Sequence, residues 1–271
     1  EILALTFTDK AAGEMEERVD LLLPYGYVDL QISTFHGFCE RLLKEYGVQI
    51  GLSQEFQLLT DLDVWLLVRQ QLDRFNLNYY RPLGNPTKYI RSLLQHFSRA
   101  KDQAITADAY LAFAEKEFAD KDVAHAQATD DSPGGHTIEL AHAYHTYQQV
   151  LLEQDGLDFG DLILYSLQLL RERPAVLRAV QKRFRYLLVD EFQDTNHAQY
   201  ELVQLLAGEK QNITVVGDDD QAIYKFRGAS IENILRFHRD YPNARRVILT
   251  TNYRSAQSIL DRAYEFIQIN N

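Results

Sequence analysis

Short apolar runs alternate with helical patterns in the first and last parts of the chain. The runs cover residues 2–7, 30–33, 186–189, 213–216 and 247–250. They are as long as strands and nearly continuous in apolar residues, which is typical of parallel strands covered by helices on both faces. Helical periodicity follows at residues 10–22, 37–46 and 198–206. The pattern predicts an α/β fold built on a parallel sheet.

A different pattern fills the middle of the chain, from about Gln54 to Gly156. There the strand-like runs mostly vanish, and apolar residues recur every three or four positions, as on amphipathic helices. The repeats are Trp65, Val68, Leu72 and Phe75; Ile90, Leu93, Leu94 and Phe97; and Leu140, Tyr144, Tyr147 and Leu151. We therefore predict a helical subdomain inserted into the sheet domain through residues 51–53 and 154–156. The polar stretch 119–136, which carries Ser132-Pro133-Gly134-Gly135, predicts an exposed loop.

Composition narrows the class of protein. The chain has 271 residues, 46% of them hydrophobic, which is enough to bury a core. Its single cysteine, Cys39, excludes an internal disulfide and cannot anchor a zinc site alone. No apolar run is long enough to span a bilayer, and residues 1–5 lack the basic start of a secretory signal. We expect a cytoplasmic protein without a membrane partner.

The net charge of -11 argues against nonspecific coating of nucleic acid. A nucleic-acid path on this chain would have to be local, made from a few Arg and Lys side chains with aromatic stacking. Parts of the protein outside this sequence could also supply positive charge.

The strongest chemical signal is an apolar strand that ends in two adjacent acids, Asp190 and Glu191. In open α/β sheets, ligands bind beyond the carboxyl ends of strands. Asp190 could there hold Mg²⁺, and Glu191 could activate the water that attacks a γ-phosphate. The alternative is a pair of solvated acids at a turn.

A second strand ends in Gly217, three acids and Gln221. Gln221 can donate and accept hydrogen bonds, so it could sense a γ-phosphate or the attacking water. Tyr224, Phe226 and Arg227 follow closely, and aromatic rings beside basic groups suit a platform for single-stranded nucleic acid. Core packing is the alternative for each ring.

These segments together resemble motifs Ia, Ib, II, III and IV of UvrD/Rep/PcrA-like superfamily 1 helicases. They occur in the family's order as LTFTDKAA (5–12), STFHGFC (33–39), VDEFQDT (189–195), VGDDDQAIYKFRG (216–228) and NYRS (252–255). The segment LDFGDL (157–162) is similar to a further short signature of the family. The resemblance reaches from one end of the chain to the other.

The resemblance implies a RecA-like P-loop NTPase sheet with an inserted all-helical subdomain. Residues 1–53 and 157–250 would form the first RecA-like domain, 54–156 its insertion, and 251–271 the start of a second RecA-like domain. The expected cofactors are ATP and Mg²⁺. The expected partners are single-stranded DNA and single/double-strand junctions, with translocation from 3′ to 5′; the oligomeric state stays open.

The resemblance also implies roles for individual residues. Glu191 would be the catalytic base, Asp190 the Mg²⁺ ligand and Gln221 the γ-phosphate sensor. Arg254 would contact the γ-phosphate across the cleft between the domains, and Tyr253 would stack on the adenine. The positions expected to face single-stranded DNA are Phe7, His36, Tyr224, Phe226 and Arg227.

Two departures from the family pattern matter. No G-x-x-x-x-G-K-[S/T] loop occurs in the sequence, so we expect a piece of a helicase that is inactive alone. Phe226 stands where many relatives have Trp, and phenylalanine offers a smaller stacking face than tryptophan. Two alternatives stay open: the motor of a RecB/AddA-like helicase-nuclease, and a DNA-binding module that does not hydrolyse nucleotide.

Two weaker patterns lie in the predicted insertion. Glu139, His142 and His145 recur every three residues and could share a metal, although no further ligand is evident. Arg91, Arg99 and Lys101 could touch DNA, but a solvated helix face is the favoured reading.

Overall fold

A computed structural model gives the fold and describes residues 2–23, 31–119, 133–221 and 231–267. The described strands are β1 (Ile2–Thr6), β2 (Gln31–Thr34), β3 (Gln57–Leu58), β4 (Gly156–Leu157), β5 (Tyr186–Val189) and β6 (Ile213–Val215). The described helices are α1 (Asp9–Leu22), α2 (Phe35–Tyr46), α3 (Asp61–Gln70), α4 (Ile90–Asp102), α5 (Ala107–Ala119), α6 (Pro133–Glu153), α7 (Phe159–Glu172), α8 (Pro174–Arg183), α9 (His197–Ala207), α10 (Ile231–Asp240) and α11 (Gln257–Ile267).

The main sheet has the strand order β2-β1-β5-β6 within the described part of the chain, and every pairing in it is parallel. Leu5 of β1 pairs with Ser33 of β2 and Val189 of β5, and Val189 pairs with Val215 of β6. This register aligns the carboxyl ends of the four strands at one edge. The predicted α/β class with a parallel sheet is confirmed.

Two hydrophobic clusters hold the described residues together. The first surrounds the sheet and includes Leu3, Leu5, Phe35, Leu162 and Val203. The second lies among the helices between β3 and β4 and includes Val68, Phe75, Phe97, Tyr144 and Leu151. Burying a large apolar side chain contributes about 1.5–3 kcal/mol, so each cluster can stabilise its own part of the chain. The domain boundaries drawn from the sequence stay a prediction, which these two clusters support.

The segments that enter and leave the helical part pair with each other. Gln57 and Leu58 of β3 lie in parallel register with Gly156 and Leu157 of β4. The sequence analysis missed these strands, because two residues are too few to show a period. A side chain at Gly156 would bring its Cβ within 2.7 Å of a Leu59 methyl carbon, so glycine allows the close pairing.

The predicted strand at 247–250 is wrong. These residues have no regular structure, and within the described ranges they pair with no strand. Leu249 is 83% exposed. An apolar run becomes a strand only where a neighbouring strand shares backbone hydrogen bonds with it, and none of the six described strands lies alongside this run.

The predicted loop at 119–136 is partly wrong. Helix α6 already begins at Pro133, so residues 133–136 are helical. Proline is tolerated in the first turn of a helix because the missing N–H has no partner there anyway. Residues 120–132 lie outside the described residues. None of the described helices is both long and apolar enough to cross a membrane.

Candidate functional site

Most predicted site residues that the structure describes meet at the carboxyl edge of the main sheet. Phe7 directly follows β1, and His36 is the second residue of α2, directly after β2. Asp190 and Glu191 follow β5, and Gln221 ends a short 3₁₀ turn, Asp219–Gln221, after β6. The order of the strands places the acids of β5 between the residues of β1 and β6.

The backbone turns sharply at Glu191. The N–H of Asp190 donates to the carbonyl of Leu5 at 2.9 Å, and the N–H of Phe192 donates to the carbonyl of Val216 at 2.9 Å. Between these anchors Glu191 has φ +50°, in the left-handed region. That conformation costs a side-chain-bearing residue about 1–2 kcal/mol, so the flanking hydrogen bonds hold it in place. The two carboxylates are thereby fixed at the end of the strand.

The surroundings of Asp190 suit a cation. Burial raises the pKa of its carboxyl; a backbone hydrogen bond from Glu191 opposes this rise, and the charge of Glu191 adds to it. A bound cation would favour the charged carboxylate. Among the described residues no group of three acidic, histidine or cysteine side chains forms a metal cage. Mg²⁺ requires none, since it is usually held by one or two carboxylates together with water and substrate phosphates.

Gln193 connects the two acidic strand ends, and the sequence analysis did not single it out. Its side chain is 1% exposed. Its Nε2 donates to Glu191 Oε2 at 2.6 Å, and its Oε1 accepts from the backbone N–H of Asp218 at 3.1 Å. The only signal for it in the sequence was its place inside the segment VDEFQDT (189–195), where the acids are the residues with evident chemistry.

Gln221 is held at the same edge by Asp218. The Asp218 carboxylate accepts hydrogen bonds from Gln221 Nε2 at 2.7 Å and from the backbone N–H of Asp220 at 3.1 Å. The Gln221 side chain is exposed, so its amide can also meet a ligand from outside.

His36 lies at the far side of the edge, in the first turn of α2 just after β2. Thr34 caps its helix by accepting from the Gly37 N–H at 3.2 Å. The His36 ring meets the Phe159 ring edge-on, with 5.7 Å between centroids. Burial lowers the pKa of His36, although Asp9 and Asp158 act to raise it. Phe159 is 46% exposed and was missed because a single aromatic at a helix start resembles a core residue.

Other predicted residues do not join this edge in the structure. Tyr253 is 94% exposed. The Asn252 side chain accepts from the backbone N–H groups of Arg254 and Ser255, both at 2.9 Å, which forms a local turn. Among the described residues, no hydrogen bond or ion pair joins Tyr253 or Arg254 to Asp190, Glu191 or Gln221. Tyr224, Phe226 and Arg227 lie outside the described residues.

The weaker patterns of the helical part have structural explanations. Lys101 is buried between Asp158 and Asp161, so the suggestion that it touches DNA or solvent is wrong. Glu139 accepts hydrogen bonds from the backbone N–H groups of residues 78–80 at 2.7 to 3.2 Å, which anchors that loop. His145 lies 3.3 Å from Asp108. The described part of the chain therefore offers no metal site at Glu139.

The structure is that of an α/β protein with a parallel sheet and two adjacent acids, Asp190 and Glu191, at its carboxyl edge. Comparison of the sequence identifies the family. Residues 1–242 match the family model described as UvrD/REP helicase N-terminal domain, so the chain belongs to this family. The resemblance deduced from the motifs is thereby confirmed.

The most similar relatives include bacterial helicases. The chain is 41% identical to the ATP-dependent DNA helicase PcrA of Bacillus subtilis (strain 168), over 99% of this chain and 33% of that protein. It is 40% identical to the protein of the same name from Leuconostoc citreum, over 100% of this chain and 33% of the relative. The chain thus spans about a third of the length of these relatives.

Proposed function

We propose that the intact gene product is an ATP-dependent DNA helicase and that this chain carries part of its nucleotide and DNA sites. Family membership and the names of the relatives support the proposal. The observation that carries it is the edge where Glu191, adjacent to Asp190, is linked through hydrogen bonds to the turn that holds Gln221.

In the proposed reaction, Asp190 binds Mg²⁺ and Glu191 orients a water and takes its proton. The metal, when bound, would neutralise phosphate charge. Gln221 contacts the γ-phosphate or the attacking water, because its exposed amide both donates and accepts. Arg254 and Tyr253 contact the γ-phosphate and the adenine, which requires a closed arrangement that brings them toward the edge.

The proposed DNA path starts beside the nucleotide site. Phe7 follows β1, the strand beside β5, and His36 follows β2, the next strand out. Phe159 adds a half-exposed ring against His36. Tyr224, Phe226 and Arg227 follow Gln221 closely in sequence, so a shift of Gln221 would reach them over a short length of backbone. We propose translocation along single-stranded DNA from 3′ to 5′, with binding at single/double-strand junctions.

The test is unwinding by the intact gene product of duplexes with a single-stranded tail at either the 3′ or the 5′ end. We expect ATP hydrolysis to depend on Mg²⁺ and to rise with single-stranded DNA, and we expect unwinding of the 3′-tailed substrate. Reactions without ATP or with a non-hydrolysable analogue are the controls. DNA binding without any hydrolysis would instead support a binding module, and unwinding from the 5′ tail alone would refute the proposed direction.

A further inference from the structure

We propose that Gln193 is a positioning residue that fixes the carboxylate of Glu191 and couples it to the turn carrying Gln221. This inference rests on the proposed function and goes beyond it, because it assigns a task to a residue that contacts neither nucleotide nor DNA in that scheme. The residue acts through the two groups that its amide joins.

The first step concerns how firmly the amide is held. Gln193 is 1% exposed, so water is not at hand to replace a lost hydrogen bond. Leaving a buried polar group without a partner costs about 1–3 kcal/mol. Both ends of the amide have a partner: Nε2 donates to Glu191 Oε2 at 2.6 Å, and Oε1 accepts from the Asp218 N–H at 3.1 Å. Moving either partner therefore disturbs the other.

The second step concerns Glu191. A glutamate side chain has several rotatable bonds, and a base must point at its water to be effective. The hydrogen bond from Gln193 occupies Oε2. Among the described groups, none donates to Oε1, so that oxygen can face a water. Gln193 thus selects both the rotamer and the oxygen that accepts the proton.

The third step is the connection to the sensor. The residue whose N–H binds Gln193, Asp218, also accepts from Gln221 Nε2 at 2.7 Å. A continuous series of hydrogen bonds therefore runs from Glu191 through Gln193 and Asp218 to Gln221. If a γ-phosphate draws the Gln221 amide toward itself, the bond to Asp218 changes and the Gln193 amide shifts with it.

A second observation supports this position of the Gln193 amide: it occupies the space that a side chain at position 217 would fill. A Cβ added at Gly217 would lie 2.9 Å from Gln193 Oε1 and 3.5 Å from the Gln193 backbone nitrogen. The first separation is shorter than normal packing allows, so any side chain at position 217 would push the amide away from Asp218.

The experiment measures ATP turnover and ATP affinity of the intact gene product with saturating single-stranded DNA. Gln193→Glu keeps an acceptor for the Asp218 N–H but replaces the donor to Glu191. We expect kcat to fall about 30- to 100-fold while the affinity for a non-hydrolysable ATP analogue changes less than about threefold. Gly217→Ala keeps Gln193 but displaces its amide through the added methyl group. We expect a kcat about tenfold lower than that of wild type and a similar affinity for the ATP analogue.

Gln199 is the matched control, since it is also a buried glutamine, at 3% exposure. Within the described ranges, its amide oxygen accepts only from the Asn196 N–H at 3.0 Å, in the cap of α9. Gln199→Met should lower the melting temperature yet keep kcat within about twofold of wild type at a temperature where it is folded.

The outcomes separate the two proposals. A wild-type protein without ATP turnover would overturn the proposed function and this inference together. An active wild type with near-normal kcat in both Gln193→Glu and Gly217→Ala would overturn this inference alone. Loss of ATP affinity in step with kcat would also overturn it, because a structural defect affects both. Should Gln193→Glu not fold, Gly217→Ala decides by the same two measurements.

Discussion

The ammonium of Lys101 lies 2.6 Å from the carboxylate of Asp158 in the interior of the protein, where the lysine side chain is 0% exposed. A second carboxylate, that of Asp161, lies 2.7 Å from the same ammonium. Burial would lower the pKa of Lys101, but both carboxylates raise it, and the pKa is above its usual value. The ion pair joins the end of α4 to the start of α7, so it connects a helix of the second hydrophobic cluster to a helix of the first.

We predict that Lys101→Met strongly destabilises the 271-residue chain. The variant would leave two carboxylates buried beside each other without a cation, and breaking a buried pair in this way costs about 3–5 kcal/mol. Urea unfolding followed by circular dichroism measures the change in midpoint. Lys44→Met is the matched control, because Lys44 pairs with Glu40 at the surface and such pairs contribute at most about 1 kcal/mol. Equal midpoints for the two variants would contradict the prediction.

We predict that Asp102 makes stability fall as the pH rises. Burial raises the pKa of Asp102 from 3.8 to about 6; the hydrogen bond from Asn196 opposes this, the charge of Asp158 adds to it, and Arg99 opposes it. The folded chain therefore holds the proton more tightly than the unfolded chain. The contribution is most favourable below the unfolded pKa and is lost as the pH rises through about 6.

The test compares Asp102→Asn with wild type by urea unfolding at two pH values, about 5 and 7.5. Asparagine keeps an oxygen for the Asn196 amide, which lies 2.7 Å from Asp102 Oδ1, but has no charge to bury. We expect the stability of the variant relative to wild type to rise by on the order of 1–2 kcal/mol between the lower and higher pH. A difference that is the same at both values would refute the assignment.

The sequence predicted the features that follow from local hydrophobic pattern and from short motifs. Continuous apolar runs predicted the four strands of the main sheet, and adjacency in sequence placed Asp190 and Glu191 at a strand end. The sequence could not reveal the roles of Gln193 and Lys101, because each role depends on a partner distant along the chain, Asp218 for Gln193 and Asp158 for Lys101. Asp158 is 57 residues from Lys101 along the chain. The strand predicted at 247–250 was wrong for the same reason, since a strand requires a neighbouring strand that the apolar run itself does not specify.

We predict that Glu191→Gln removes most ATP turnover of the intact gene product and preserves nucleotide binding. The substitution deletes a base and leaves Asp190, the proposed metal ligand, in place. Single-turnover hydrolysis should be at least about 100-fold slower, whereas equilibrium binding of an ATP analogue should be within a few-fold of wild type. Turnover within a few-fold of wild type would remove Glu191 from the role of base.

We predict different salt dependences for the residues that follow Gln221. Tyr224→Ala and Phe226→Ala should weaken binding of single-stranded DNA with little change in the salt slope, because stacking releases no counterions. Arg227→Ala should flatten the slope if the guanidinium meets a phosphate. Fluorescence anisotropy across a salt series measures both quantities. Unchanged affinity in both aromatic variants would place those rings away from the DNA.

We predict that the 271-residue chain by itself does not bind Mg²⁺-ATP tightly. A triphosphate needs backbone N–H groups at a helix start and a lysine to balance its charge, and the sequence has no G-x-x-x-x-G-K-[S/T] loop. The described edge instead presents the carboxylates of Asp190, Glu191 and Asp218, which repel phosphate. Arg254 cannot compensate, because it is exposed and none of the described contacts joins it to this edge. Calorimetric titration with a non-hydrolysable analogue should show no micromolar binding, and a micromolar Kd would mean that the phosphate site lies elsewhere.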